Sequence, residues 1–183
     1  MELIEKIILA LPSIIIAGIV AYIAYQQYEI NRQKLKLDLY DRRFKIYSAA
    51  IALVRFAYEP LPDEKYDDIT KKLDNEFIDH LNAAYFLLNR KAFNTLKEIA
   101  QEVSDLAIAM ASRLSTVKKL NQLQESNIED RKDLNNERKS WDSKIQAIKQ
   151  SLKQSLSENS RINTVFNPYL DFRNLYDSRN ISK

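Results

Sequence analysis

His80 is the single histidine of a chain of 183 residues, with Glu76 four positions before it and Asp79 beside it. A Glu and a His one helical turn apart could hold a cation if other elements supplied further ligands. Glu98, Glu102 and Asp105 also recur at helical spacing. A di-metal carboxylate site would take Glu-x-x-His pairs from two helices, and one histidine cannot supply both. The chain has no cysteine, which excludes disulfides, thiolate metal sites and cysteine nucleophiles. Its one glycine is Gly18, so no phosphate-cradling glycine loop can follow. No serine stands in a setting that marks a nucleophile. The plain reading makes His80 an edge histidine of a helical bundle and the three acids a solvated face. We therefore expect no catalytic residue, no cofactor and no metal, and a chain that is not an enzyme. A membrane-bound hydrolase using His80 is the enzymatic alternative.

Those side chains need elements to hold them, and the composition points to helices. One glycine and four prolines leave few residues for the positive-φ turns of a β fold. Leu, Ile, Ala, Lys, Glu and Gln dominate, which are helix formers. The net charge of +3 is a small excess over a mixed population and gives no argument for nucleic acid. No small-molecule substrate is evident.

From Ile7 to Tyr28 there is no charged residue. The run IILALPSIIIAGIVAYIAY (7 to 25) would make roughly 28 Å of helix, enough for a bilayer core of about 30 Å. We read it as a transmembrane anchor within residues 1–28. The alternative is a buried core helix, but the run is apolar on every face, and a helix of a small globular domain is apolar on one stripe. A cleaved signal peptide would have a basic start, unlike MELIEK, and a shorter apolar region. Lys6 precedes the run, whereas Arg32, Lys34, Lys36, Arg42, Arg43 and Lys45 follow it. The positive-inside rule then sets the N-terminus outside and the C-terminal body in the cytoplasm. Tyr22, Tyr25 and Tyr28 suit the inner interface. Ser13, Ala17 and Ala21 form a small-xxx-small row through which two spans could associate. Pro12 lacks a backbone donor and could bend the helix near its outer end.

Between Ile19 and Glu59 there is neither Gly nor Pro, so QQYEINRQKLKLDLYDRRFKIY (26 to 47) is no flexible tether. Ile30, Leu37, Tyr40, Phe44, Tyr47, Ile51, Val54 and Tyr58 follow heptad spacing. A second row, Leu35, Leu39, Ile46, Ala50, Leu53 and Ala57, runs beside it. Two stripes predict two neighbouring helices. The expected element is one helix that leaves the anchor and becomes the first helix of a cytosolic domain. Asp38–Arg42 and Asp41–Lys45 are spaced as intrahelical ion pairs. Arg32, Lys34 and Lys36 are close enough to the membrane edge to hold anionic lipid headgroups.

KLKLDLYDRRFKIY (34 to 47), directly after an N-terminal span, resembles the juxtamembrane segment of a family of small bacterial single-pass inner-membrane proteins. Lys34, Leu35, Lys36, Leu37, Asp38, Leu39, Tyr40, Asp41, Arg42 and Arg43 carry the resemblance. It implies a bacterial inner-membrane location for the chain and implies no activity.

EPLPDEKYDD (59 to 68) predicts the loop that ends the first helix, with Asp67 or Asp68 capping the next. That helix is expected to reach about Asn89 with a stripe of Leu73, Phe77, Leu81, Tyr85 and Leu88. NRK (89 to 91) is a short break. Phe93, Leu96, Ile99, Val103, Leu106, Met110, Leu114 and Val117 then mark an antiparallel helix. Residues 121–140 are polar and predict a hairpin tip or a loop. Trp141, Ile145, Ile148, Leu152 and Leu156 resume the helical spacing. A last short helix is expected to begin at Asn167-Pro168.

The fold expected is all-α: an N-terminal transmembrane helix continuing into a cytosolic antiparallel bundle of about four helices over 29–183. The function expected is that of a non-enzymatic interaction or scaffold protein at the cytoplasmic face of the inner membrane. Its partners would be the lipid bilayer and either another protein or a second copy. The alternative is a self-associating membrane-active effector of the toxin or antiphage type.

Overall fold

The structure, a computed structural model, describes residues 2–59, 62, 65–123, 128–157 and 160–171, with side chains from Pro12 onward. Every regular element among them is a helix. The described residues divide into two compact units, one up to Asp41 and one of Arg42–Asp171.

Helix α1 is Glu2–Tyr58, 57 residues with Pro12 inside it. Residues 26–47 are helical throughout, as the absence of breakers requires. Among the described residues no helix is long and apolar enough to cross a membrane. The span expected over 7–25 is therefore not found among them. The side chains of residues 7–11 lie outside the described set. What remains, 12–25, is about 21 Å of helix, short of the roughly 30 Å of a bilayer core.

The heptad seam and the row beside it divide their roles differently from the expectation. In the second unit the neighbouring row supplies the core: Ile46, Ala50, Leu53 and Ala57 are buried, with Val54 from the seam. Seam residues Ile30, Leu37 and Phe44 are exposed. Further along the seam, Tyr47 and Ile51 are partly buried and pack against that core.

Helix α2 is Tyr66–Lys72, and its N-cap, Lys65, makes no side-chain cap. Asp67 and Asp68 are not the cap; they occupy the first turn, where their charge faces the helix dipole. A single wide π-helical turn, Leu73–Phe77, joins α2 to α3, Ile78–Leu87. The extra residue of that turn rotates everything after it. Leu73, Phe77 and Leu88 are buried as the spacing predicts, but Ala84 takes the core position and Tyr85 is turned outward.

Leu88 and Asn89 are extended, and the Asn89 side chain caps helix α4, Arg90–Gln122, by accepting from the Ala92 amide at 2.9 Å. Leu96, Ile99, Val103, Leu106 and Met110 are buried along α4. Beyond them the stripe moves to Thr116 and Leu120, while Leu114 and Val117 are only half-buried. The Thr116 hydroxyl donates to the Ser112 carbonyl at 3.1 Å, which satisfies the polar group in the core.

Helix α5, Ile128–Gln154, runs antiparallel to α4, since Asp142 pairs with Arg113 and Ser151 with Glu102. Arg131 donates to the Leu123 carbonyl at 3.1 Å at the end of α4. Of the polar stretch 121–140, residues 124–127 lie outside the described set and 128–140 are helical. Ile145 and Leu152 enter the core, with Trp141, Ile148 and Leu156 packed against it.

Helix α6, Arg161–Leu170, is capped by Ser160, which accepts from the Asn163 amide at 3.1 Å. It starts well before the expected Asn167-Pro168. Pro168 lies inside the helix near its end, and the buried pair Ile162 and Phe166, four apart, fixes its inner face one turn earlier. Of the expected aromatic helix 169–176, the part beyond Asp171 lies outside the described residues.

Candidate functional site

His80 lines a small recess with Ala49, Ala52, Leu53, Lys72, Glu76 and Phe77. Glu76 is already engaged, accepting from Lys72 Nζ at 2.8 Å. Neither a serine nor a second carboxylate is among the described residues lining the recess. Among the described residues no cluster of three or more His, Cys, Asp or Glu could hold a metal ion.

The acidic strip of α4 is not simply a solvated face. Arg161, at the start of α6, reaches Glu102 at 2.7 Å and Glu98 at 3.8 Å. The same guanidinium donates to Ser155 Oγ at 3.0 Å, and Ser151 Oγ donates to Glu102 at 3.0 Å. Ser155 is buried and donates onward to the Ser151 carbonyl at 3.3 Å. Asp105 stands apart and accepts from Gln101 at 3.0 Å. The serine hydroxyls are committed to a carboxylate and a carbonyl without an imidazole beside them. Chemically the group is a clamp that ties α6 to α4 and α5.

A second clamp uses the motif-bearing part of α1. Arg43 reaches off its own helix: its Nε donates to the Leu87 carbonyl at 3.0 Å. Its guanidinium also lies 4.9 Å from the centroid of the Tyr169 ring. The Tyr169 hydroxyl in turn accepts from the Asn89 amide at 2.9 Å. Tyr47 donates to Asn163 Oδ1 at 3.0 Å and packs its ring 5.4 Å from Phe166. Arg43 thus satisfies an orphan carbonyl at the end of α3. Arg43→Ala should cost about 1–3 kcal/mol, from a charge-assisted hydrogen bond and a cation–π contact. Chemical denaturation of the full chain in detergent would read that loss, and Arg43→Lys should recover only part of it, since the guanidinium both bonds and stacks.

At the other end of α1's buried stretch, Lys149 donates to the Glu59 carbonyl at 3.2 Å. Partial burial lowers its ammonium from the ordinary lysine value. The unfolded chain then holds that proton more tightly, so this group's contribution to stability rises with pH toward the ordinary lysine range.

In the first unit, Arg32 pairs with Glu29 on its own helix at 3.6 Å. Lys34 is exposed and Lys36 half-buried. Ser13, Ala17 and Ala21 are all exposed on one row. A β-carbon added at Gly18, between them, would meet nothing within 4 Å.

The end of α3 carries an aromatic patch that residue spacing does not announce. Phe86 is 83% exposed, and the Tyr85 ring stands edge-on to Phe86 and Phe93 at 5.1 and 5.4 Å. The outward turn of Tyr85 comes from the π turn, which composition does not announce.

Comparison with protein-family models, curated proteins and solved structures finds no match for this chain.

Proposed function

We propose that this chain is a membrane-anchored helical interaction protein of the bacterial inner membrane, without enzymatic activity, whose bundle docks a partner at the cytoplasmic face. The observation that carries the reading is the exposure of three consecutive isoleucines, Ile14, Ile15 and Ile16, at 67, 54 and 61%. Consecutive helical residues point to different sides, so apolar surface faces outward all round the helix. Together with the uncharged run from Ile7 to Tyr28, that surface suits hydrocarbon and not water. The basic cluster Arg32, Lys34 and Lys36 supports a cytoplasmic flank at anionic headgroups. The exposed Tyr85 and Phe86 offer the bundle an aromatic contact of the kind that anchors interfaces.

The test is chemical crosslinking of the full chain in its membrane, followed by mass spectrometry of the complex. A specific second protein, lost on Phe86→Asp, supports docking through the bundle. Absence of any partner protein contradicts it.

A second reading, a self-associating membrane-active effector, is favoured by the exposed row Ser13, Ala17 and Ala21 beside Gly18, which lets helices approach closely. Ala17→Leu should then abolish membrane leakage, and unchanged leakage would sink that interface.

A further inference from the structure

Ile16, Ile23, Ile30 and Leu37 stand seven residues apart on α1, exposed by 61, 49, 50 and 53%. A period of seven is shorter than two ideal helical turns would give, so a straight helix presents it as a slowly drifting stripe. Only a second helix coiled around the first keeps such a stripe covered. The first unit's described residues are this one helix, and they leave the stripe uncovered.

We infer that the segment from Ile16 to Asp41 forms a parallel, in-register two-stranded coiled coil with a second copy of this chain. Ile16, Ile23, Ile30 and Leu37 take position a. Position d then falls on Ile19, Gln26, Gln33 and Tyr40. The flanking charges choose the occupant. Glu29 and Lys36 fall at g, and Lys34 and Asp41 at e. In a parallel pair a g residue faces the e residue five positions further along the other strand. Glu29 therefore faces Lys34 of the second copy, and Lys36 faces its Asp41, so both meetings are opposite in sign at either edge of the seam. An antiparallel pair would also match charges, but two copies inserted in one bilayer run the same way. That last step rests on the membrane reading above.

The two glutamines at d make the seam polar in the middle, which weakens it and fixes register. Confinement in the membrane raises the local concentration that such a seam needs. The row Ser13, Ala17 and Ala21 falls at positions e, b and f of the same register. It lies on another face, so one pair of helices cannot close both surfaces.

The chain has no cysteine, so single substitutions report contacts cleanly. Facing a positions should have Cα atoms about 5 Å apart, and f positions about 14 Å apart. Full-length Ile30→Cys, Leu37→Cys, Leu35→Cys and Ala17→Cys would be oxidised in membranes and run without reductant. We expect disulfide dimers at positions 30 and 37, about tenfold more than at Leu35, which is equally apolar but at f. Lys34→Glu should cut the Leu37→Cys dimer several-fold, and adding Glu29→Lys should restore it. No dimer at 30 and 37, equal dimer at 35, dimer at Ala17 alone, or no rescue by the charge swap would each overturn the inference. Carbonate extraction of the same samples separates the two claims. A chain that is extracted yet crosslinks at 30 and 37 ends the membrane reading and leaves the coiled coil. One that resists extraction without those dimers ends the coiled coil alone.

Discussion

On the proposed membrane reading, Ile16→Arg should move the chain out of the membrane. A charged residue at the centre of an apolar helix costs about 2.5–3.5 kcal/mol on insertion, and the isoleucine it replaces contributes favourably. The difference corresponds to a shift of a few hundred-fold in partition at about 1.4 kcal/mol per tenfold. The run between Ile7 and Tyr28 has no other charge, and nothing in the described structure packs on Ile16, which is exposed. The substitution therefore leaves the bundle intact and acts on insertion in the bilayer, while also placing a charge at the outer end of the helix pairing inferred above. Alkaline carbonate extraction and sedimentation check it: the parent chain should remain in the pellet and the variant should appear in the supernatant. Equal partition of both would remove the anchor from the account.

Phe166→Ala has the largest expected effect on the bundle. Phe166 is fully buried on α6, with the Tyr47 ring at 5.4 Å and the Tyr169 ring at 6.5 Å. Truncating a buried phenylalanine costs about 3–5 kcal/mol through lost transfer energy and the cavity left behind. For a unit of this size that is a fall in Tm on the order of 10–15 °C. The loss spreads further than one side chain. Without Phe166, α6 keeps Ile162 and the Arg161 clamp, but Tyr169 loses its neighbour and so does the stack under Arg43. Thermal unfolding of the full chain in detergent, followed by circular dichroism, would show the drop. Protease cleavage should appear first around α6. A change of only a degree or two would mean that α6 is not part of the folded core.

How much of this was legible beforehand depends on which signal each residue sends. The helices of α1, α4 and α5 follow from spacing and the lack of breakers, because local propensity and packing agree there. Period alone marks Leu96, Ile99, Val103 and Leu106 as core, and they are buried. The π turn at Leu73–Phe77 was not legible, since no residue type marks it, and it moved Tyr85 from the core to the surface. Asn167-Pro168 sends a strong start signal, yet Ser160 and the apolar pair Ile162 and Phe166 outweigh it. The clamps are illegible for a different reason. Arg43 and Arg161 find partners 44 and 59 residues away, and no local pattern encodes such distances. Heptad spacing marks the seam, but it does not show that the bundle draws most of its α1 core from the neighbouring row and leaves Ile30, Leu37 and Phe44 exposed.

The measurement that bears most directly on the account is side-specific labelling of a single cysteine on the bundle. Lys132 is exposed on α5, and Lys132→Cys would give the chain its one thiol. A membrane-impermeant maleimide applied to intact cells should leave it unlabelled, and the same reagent after permeabilisation should label it fully, with the protein in the membrane fraction both times. Labelling in intact cells would place the bundle on the outer side. A fully soluble protein would contradict the anchor itself.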